Sequence, residues 1–401
     1  LNKHNLATKI ILDKKGYSMT QIANWSYPTM IRFGAGRIKE LADACIEAGI
    51  QNPLLVTDRG LADLKITRRA LDILDEAGLG RAMFSDVDPN PNEINLAAGI
   101  KAFKDGHYDG VIAFGGGSGL DLGKMIAFMA GQTRPVWDFE DIGDWWMRAD
   151  ASAIKPIIAV PTTAGTGSEV GRASVITNSA TKVKKIIFHP KILPMVVIAD
   201  PELTVTMPNV ITAGTGLDAF AHCVEAFSSP HYHPMSHGIA LHGMKLVIDH
   251  LPRAYADGSD LDARAQMMSA AMMGATGFQK GLGAIHAMSH PIGAIFHTHH
   301  GTTNAVCMPA VLTLNAPAIR DRFDEASPYL GIAGGFDGFC AFVQRFNDQF
   351  SIPRNLADLG VDASQIDNLI TMALDDPSCG GNPVPLNRQN LKWLFETAFN
   401  Q

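Results

Sequence analysis

The run AFGGGSGLDLGK, residues 113–124, decides what kind of chain this is. It closes a longer apolar stretch, YDGVIAFGGG, which reads as a β-strand, and it opens LDLGKMIAFMAG, which reads as a helix. Between them lie Gly115, Gly116, Gly117 and Ser118. Backbone amides at a helix N-terminus, with no Cβ in the way, can hold a pyrophosphate. Consecutive glycines also let the backbone approach a ligand closely. Glycines alone leave a tight strand-to-helix turn equally open; the order strand–GGGS–helix favours the binding reading. The spacing is not G-x-G-x-x-G, so an ordinary Rossmann fingerprint is excluded.

The same alternation extends outward. TMIRFGAG, NPLLVTD, AMFSDV and KPIIAVPTT read as strands. IKELADACIEAG, ITRRALDILDEAGLG and NEINLAAGIKAFKDG carry helical periodicity. Short apolar strands alternating with amphipathic helices predict a mainly parallel sheet with crossover helices. The texture changes near DPELTVTMP. Beyond Pro208 the patterns are long and helical: VITAGTGLDAFAHCVEAF, GIALHGMKLVIDHL and ARAQMMSAAMMGATGF. The methionine stripe in the last of these reads as helix-packing core. The expected architecture is α/β plus all-α. An N-terminal Rossmann-like dinucleotide-binding domain spans 1–207, and a C-terminal all-helical domain spans 208–401.

Bulk properties agree with a globular chain of this size. Of 401 residues, 46% are hydrophobic and 18% charged, which argues against disorder. A formal charge of -7 gives no reason to expect a nucleic-acid partner. No apolar run approaches the ~20 residues of a membrane span. The opening LNKHNLATKIILDKK shows no secretory h-region. Five scattered cysteines with no C-x-x-C fit a reducing compartment, so a cytoplasmic location is expected.

A second loop follows a strand in AVPTTAGTGSE, residues 159–169. Thr162, Thr163, Thr166 and Ser168 offer hydroxyls beside a strand end, where ligands of open α/β sheets collect. Two such loops point to a dinucleotide rather than a lone phosphate. Asp58 ends the strand PLLVTD. An acid there can accept both ribose hydroxyls of an adenosine, favouring NAD over NADP, or it can cap the following turn.

The helical half holds a second constellation. Asp218 and His222 in GLDAFAHCVEAF are four residues apart on one helical face, as are His286 and His290 in HAMSHPIGAIFHTHHG. Pro291 and Gly293 are expected to end that second helix, placing His300 in a loop closed by Gly301. A carboxylate and several imidazoles from separate segments suit Fe2+ or Zn2+. The histidines of HYHPMSHGIALH, residues 231–242, read as surface or rim residues.

With these motifs in view, the chain resembles the iron-containing (group III) alcohol dehydrogenase family. The resemblance covers nearly all of it and rests on GGGSGLDLGK, VPTTAGTGSEV, DPELTVTMP, TGLDAFAHCVEAF and HAMSHPIGAIFHTHHGTTNAVCMP. It implies an α/β domain that binds NAD(P), a helical domain that binds the metal, and a cleft between them. It implies Asp218, His222, His286 and His300 as metal ligands. His290 then falls in the non-ligating place near substrate and nicotinamide, as the acid–base residue. The implied cofactor contacts are Asp58, Asn90, Gly116, Gly117, Ser118, Asp121, Thr162, Thr163, Thr166, Lys184 and Leu203. Lys184 is chosen over Lys185 because it stands ten residues before Pro194. Gly171 departs from the pattern, since many relatives carry Ser or Thr there. His297 and His299 are left as packing or rim residues.

The expected function is a metal-dependent alcohol dehydrogenase or aldehyde reductase using NAD, with NADP less favoured and Fe2+ preferred over Zn2+. Its partners are a small alcohol or aldehyde and further copies of the chain, as a homodimer or higher homo-oligomer. Dehydroquinate synthase resembles this architecture, so an NAD- and metal-dependent lyase or cyclase is the alternative. The maleylacetate reductase branch lacks the metal, whereas all four ligand types are present here. The glycerol dehydrogenase branch has different motifs around HAMSHPIG. A metal-storage protein would need neither of the two Gly/Thr loops. WDFEDIGDWW, residues 137–146, suits an entrance or a subunit contact.

Overall fold

The structure is a computed structural model and describes residues 28–401. The part of the first domain at 1–27, with the segment read for a secretory signal, lies outside the described residues. The first half comprises β1 (Met30–Phe33), α1 (Leu41–Glu47), β2 (Pro53–Val56), α2 (Lys65–Glu76), β3 (Met83–Phe84), α3 (Glu93–Asp105), β4 (Gly110–Gly115), α4 (Gly117–Met129), β5 (Ile157–Pro161), β6 (Ala173–Asn178), β7 (Val183–Phe188) and β8 (Val196–Ala199). The second half comprises α5 (Asn209–Ser228), α6 (Pro234–Ala256), α7 (Leu261–Gly277), α8 (Ala284–Phe296), α9 (His300–Leu330), α10 (Gly335–Gln349), α11 (Ile366–Leu374) and α12 (Arg388–Asn400).

Six strands form one parallel sheet in the order β1-β8-β5-β4-β2-β3. Strand β4, GVIAFG, is buried at all six positions, as a central parallel strand covered on both faces must be. Its side chains alternate: Ile112 and Phe114 join Leu41, Leu71 and Leu74 beneath the sheet, while Val111 and Ala113 join Leu96 and Ile126 above it. From β2 the chain moves out to β3, then returns to β4 and proceeds to β5 on the other side. The topological switch point therefore lies between β2 and β4, and the crevice beyond their carboxyl ends is where such sheets bind ligands.

The strands expected from the sequence are present, although β3 shrinks to two residues. Strands β6 and β7 form an antiparallel hairpin outside the main sheet, which the alternation of strand and helix did not suggest. From Asn209 onward the named elements are helical, with α5 packed against α6, α7 and α9. Met267 and Met268 are core residues of α7, as their stripe suggested.

One boundary differs from expectation. Helix α8 does not stop at Pro291 but continues to Phe296, where His297 closes it with φ 55. His300 is accordingly not a loop residue; it is the first residue of α9. An internal proline costs a helix about 3 kcal/mol. Packing of α8 against α9, α11 and β7 offsets that cost. Among the described residues no helix is long and apolar enough to cross a membrane, and Cys45, Cys223, Cys307, Cys340 and Cys379 are free thiols.

Candidate metal centre and cofactor cleft

Helix α5 presents Asp218, His222 and Glu225 from one buried face. Helix α8 contributes His286 and His290, and the first turn of α9 contributes His300 and Asn304. Glycines let α5 and α9 meet. A Cβ on Gly301 would fall on the carbonyl oxygen of Gly214, and one on Gly214 would strike the His299 ring. This crossing places His300 against Asp218, one helical turn beyond Gly214.

The donor atoms converge on Asp218. Its Oδ1 lies 3.7 Å from His222 Nε2, 3.8 Å from His286 Nε2 and 3.5 Å from His300 Nε2. Ligand atoms of Asp218, His222 and His286 all fall within 4.8 Å of one another, and His300 joins at the Asp218 edge. Bonds of about 2.0–2.2 Å to one ion place neighbouring ligand atoms roughly 3–3.5 Å apart, close to the observed spacing. Burial pushes His222 down to about 4 and His300 well below the ordinary imidazole value, leaving neutral rings with lone pairs to offer. The set fits a divalent ion that accepts mixed nitrogen and oxygen ligands, such as Fe2+ or Zn2+.

Two supporting residues were not anticipated. Glu225 Oε2 lies 2.5 Å from His286 Nδ1, and its Oε1 accepts the Ile285 amide at 2.6 Å. Burial alone would lower His286, but the Glu225 and Asp218 carboxylates outweigh it and raise the ring's pKa. A carboxylate behind a metal-binding histidine fixes its tautomer and raises its basicity. Asn304 donates to Asp218 Oδ1 at 2.8 Å, and its Nδ2 lies 3.3 Å from the Nε2 atoms of both His286 and His300. Glu225 is three residues after His222, and Asn304 is four after His300. Helical spacing from His222 could have found Glu225; Asn304 follows only once α9 begins at His300.

His290 stands one turn beyond His286 and differs from the ligand set. Its Nδ1 is 2.7 Å from Asp376 Oδ2. Its ring stacks on His300 with centroids 5.4 Å apart and meets His286 edge-on at 5.6 Å. A cavity of about 290 Å³ between β7, α8 and the end of α11 is lined by His290, Asp376 and Lys184. Burial lowers the Lys184 ammonium pKa against the opposing pull of Asp218, Asp121 and Asp376.

Most of the expected cofactor residues gather at one crevice. The two Gly/Thr loops face each other: a Cβ on Gly116 would lie 3.2 Å from Thr163 Cγ2, and one on Gly117 2.8 Å from Thr166 Cγ2. Gly116 is the N-cap of α4, whose first amides open into this crevice. Asp58 Oδ1 accepts the Leu61 amide at 3.1 Å, so it does cap its turn, while Oδ2 faces Gly115. Ser118 Oγ donates to Pro89 O at 2.6 Å, bringing the neighbouring Asn90 to the same rim. Thr162 is buried beneath this loop, its amide held by Gly115 O at 3.0 Å.

Asp121 and Leu203 occupy different surroundings. The Asp121 carboxylate accepts Ser168 Oγ at 2.5 Å and the Val175 amide at 3.0 Å. It ties α4 to the threonine loop. Leu203 is a core side chain beneath the sheet. Among the remaining histidines, His233 is buried rather than at the rim and caps α6 through Ser236 N. His299 caps α9, and His297 is exposed.

Two buried side chains, Lys124 and Glu169, lie at the threonine loop. Lys124 is fully buried and donates to Ser168 O at 2.9 Å and Ala173 O at 2.5 Å. Burial pushes Glu169 up to about 7, while the facing Lys124 pulls it down. Unfolded glutamate titrates near ~4.3. Between those values the folded chain keeps a proton that the unfolded chain releases, so this group's contribution is present at low pH and lost as pH rises toward 7. Glu169→Gln stays neutral throughout. Its Tm relative to the parent is expected to rise between about pH 5 and pH 8, by the equivalent of about 3 kcal/mol. Parallel melting-curve pH series would refute this reading if the gap stayed constant.

Comparison with known proteins matches both halves. Residues 28–201 match the family described as iron-containing alcohol dehydrogenase, and residues 212–399 match its C-terminal domain. The 4-hydroxybutyrate dehydrogenase of Cupriavidus necator is 38% identical, over 93% of this chain and 98% of its own length. A crystal structure of 1,3-propanediol oxidoreductase shares 34% identity and a TM-score of 0.89, covering 94% of this chain and all of that one (100%). Sulfoacetaldehyde reductase from Bifidobacterium kashiwanohense, solved in complex with NAD+, shares 30% identity at a TM-score of 0.85, covering 94% and 98%.

Proposed function

This chain belongs to the iron-containing alcohol dehydrogenase family, and on that premise we propose how its own residues carry the reaction. It is an NAD-dependent oxidoreductase acting on CH–OH groups. Asp218, His222, His286 and His300 hold the metal, and the observation that carries this is the arrangement of three Nε2 atoms at 3.5–3.8 Å around one buried Asp218 oxygen. A divalent ion held there would supply Lewis-acid polarisation, making a bound alcohol more acidic or an aldehyde carbonyl more electrophilic. Bound NAD would supply the hydride acceptor for alcohol oxidation, and NADH the donor for aldehyde reduction.

The chain's residues do the rest. The Asp218 carboxylate offsets part of the ion's charge, and Glu225 holds His286 in the tautomer that leaves Nε2 free. Gly116, Gly117, Thr163 and Thr166 cradle the dinucleotide at the switch point, with Ser118 and Asn90 at its rim. The Asp58 carboxylate disfavours a 2′-phosphate. Lys184 borders the nicotinamide end beside His290. Phe278 packs against the His222 ring, centroids 5.1 Å apart. His290 takes the alcohol's proton at Nε2 and releases it toward the adjoining cavity.

For substrate we propose a short primary alcohol or aldehyde with a second polar group. The relatives that act on 4-hydroxybutyrate, 1,3-propanediol and sulfoacetaldehyde, as their names say, support this, as does the modest cavity bordered by Lys184 and Lys185. Taking the domain boundary at 207/208, a cytoplasmic location and a homo-oligomer remain part of this proposal. Exposed Met30, Phe33 and Met195 along the β1–β8 side support self-association. The test is NADH absorbance with purified enzyme, NAD and a panel of diols, ω-hydroxy acids and simple alcohols, with and without a chelator. Sustained NADH production that the chelator abolishes is expected. Its absence with every alcohol would favour the lyase or cyclase alternative.

A further inference from the structure

His290 can act at the substrate only if the correct ring nitrogen faces the cleft, and the structure contains a part that selects it. Asp376 lies at the end of α11, 86 residues from His290 along the chain. Its Oδ2 is 2.7 Å from His290 Nδ1, and its Oδ1 accepts the Ser378 amide at 2.8 Å. The carboxylate caps a single helical turn, Pro377–Gly381, that packs against α8. Both partners are largely enclosed, with side-chain exposures of 12% for His290 and 7% for Asp376. Burial alone would raise the Asp376 pKa, but His290 and Ser378 lower it on balance, so the carboxylate is ionised and acts only as an acceptor.

We propose that Asp376 is a positioning residue that holds the His290 proton on Nδ1 and so presents the Nε2 lone pair to the reacting alcohol. This rests on the reading of His290 as the acid–base group. A neutral imidazole carries one proton, and an ionised carboxylate at Nδ1 requires that proton to sit there. The ring cannot easily turn away, because it is stacked on His300 and edge-on to His286. An asparagine at 376 would keep the size but could either accept from Nδ1–H or donate to a bare Nδ1. Part of the population would then carry its proton on Nε2, where it cannot accept one. The same loss of tautomer control follows when the carboxylate of a catalytic triad becomes an amide. Asp376 does not belong to the metal set: its partners are His290 and Ser378.

The test is a double-mutant cycle on the metal-loaded enzyme, reading kcat, KM, metal content and NAD affinity for Asp376→Asn, Asp376→Glu, His290→Ala and Asp376→Asn/His290→Ala. Asp376→Asn is expected to lose about 10- to 100-fold in kcat, the range typical of an orienting partner. KM, metal content and NAD affinity should hold. Asp376→Glu should recover part of the loss, and Asp376→Asn should cost nothing further once His290 is alanine. A purely structural role predicts equal losses in both backgrounds together with falling metal content, and that outcome overturns the proposal. Wild-type kcat in Asp376→Asn, with His290→Ala impaired, overturns this proposal alone. Full activity in His290→Ala removes the reading beneath it as well. Should the asparagine variant fail to fold, Asp376→Glu carries the same comparison.

Discussion

His286→Ala is expected to lose its metal and, with it, turnover. Its side chain is 1% exposed, so solvent cannot readily replace the missing nitrogen. The substitution also leaves the Glu225 carboxylate buried without the imidazole it holds at 2.5 Å, and a buried charge stripped of its partner is costly, of order 3–5 kcal/mol. Metal analysis of the purified variant should therefore show a sharp drop, and NADH production should fall to background. Glu225→Gln should sit between wild type and that limit, with metal affinity reduced about 10- to 100-fold, because it removes the orienting charge but no ligand. NAD binding should persist in both, since the Gly/Thr loops lie on the other domain. Wild-type metal content with full turnover in His286→Ala would refute the ligand assignment. Excess Fe2+ or Zn2+ should rescue Glu225→Gln far more readily than His286→Ala.

The parts of this centre that were legible in the sequence are those tied by local geometry. Asp218 with His222, and His286 with His290, obey four-residue spacing, and a helix must put such residues on one face. Glu225, three residues after His222, obeys the same helical geometry. Asn304 was hidden by a boundary. Pro291 and Gly293 argued for a loop through His300, and without the first turn of α9 the relation between His300 and Asn304 does not exist. Tertiary packing overrode the local preference, as it can wherever a helix is buried on several sides. Asp376 left no local signal, since its relation to His290 is made by the packing of α8 against the turn after α11.

The fold shows the same division. The parallel sheet followed from apolar strands alternating with helices, and the glycines after β4 lie at its switch-point crevice. The β6–β7 hairpin did not. Its strands, ASVITN and VKKIIF, are only partly buried, and they interrupt the strand–helix rhythm on which the reading depended. That hairpin nonetheless carries Lys184 into the cleft. Its spacing from Pro194 singles out this lysine in the sequence, and its role toward the cofactor belongs to the proposal above. Leu203 and Asp121 carry no such geometric signal: resemblance alone marked them, and in the structure the Leu203 side chain joins the core beneath the sheet while Asp121 braces the threonine loop.

His290→Ala is expected to keep its metal and its NAD but to lose about 10²–10⁴-fold in turnover, the usual contribution of a positioned acid–base group. The geometry separates this residue from the ligands around it. His222, His286 and His300 each turn Nε2 toward Asp218 Oδ1, whereas His290 commits Nδ1 to Asp376 and borders the 290 Å³ cavity. Removing its ring deletes a proton carrier and leaves the four donors in place. If the ring acts only in the transition state, kcat and kcat/KM should fall together, with KM little changed. If His290 is instead a ligand, metal content will fall with activity. If it only braces α8 against the turn after α11, turnover will survive and Tm will carry the loss. Measuring metal content, NAD affinity, kcat and Tm on one preparation separates the three outcomes, and only retained metal with lost kcat agrees with an imidazole that moves the substrate's proton.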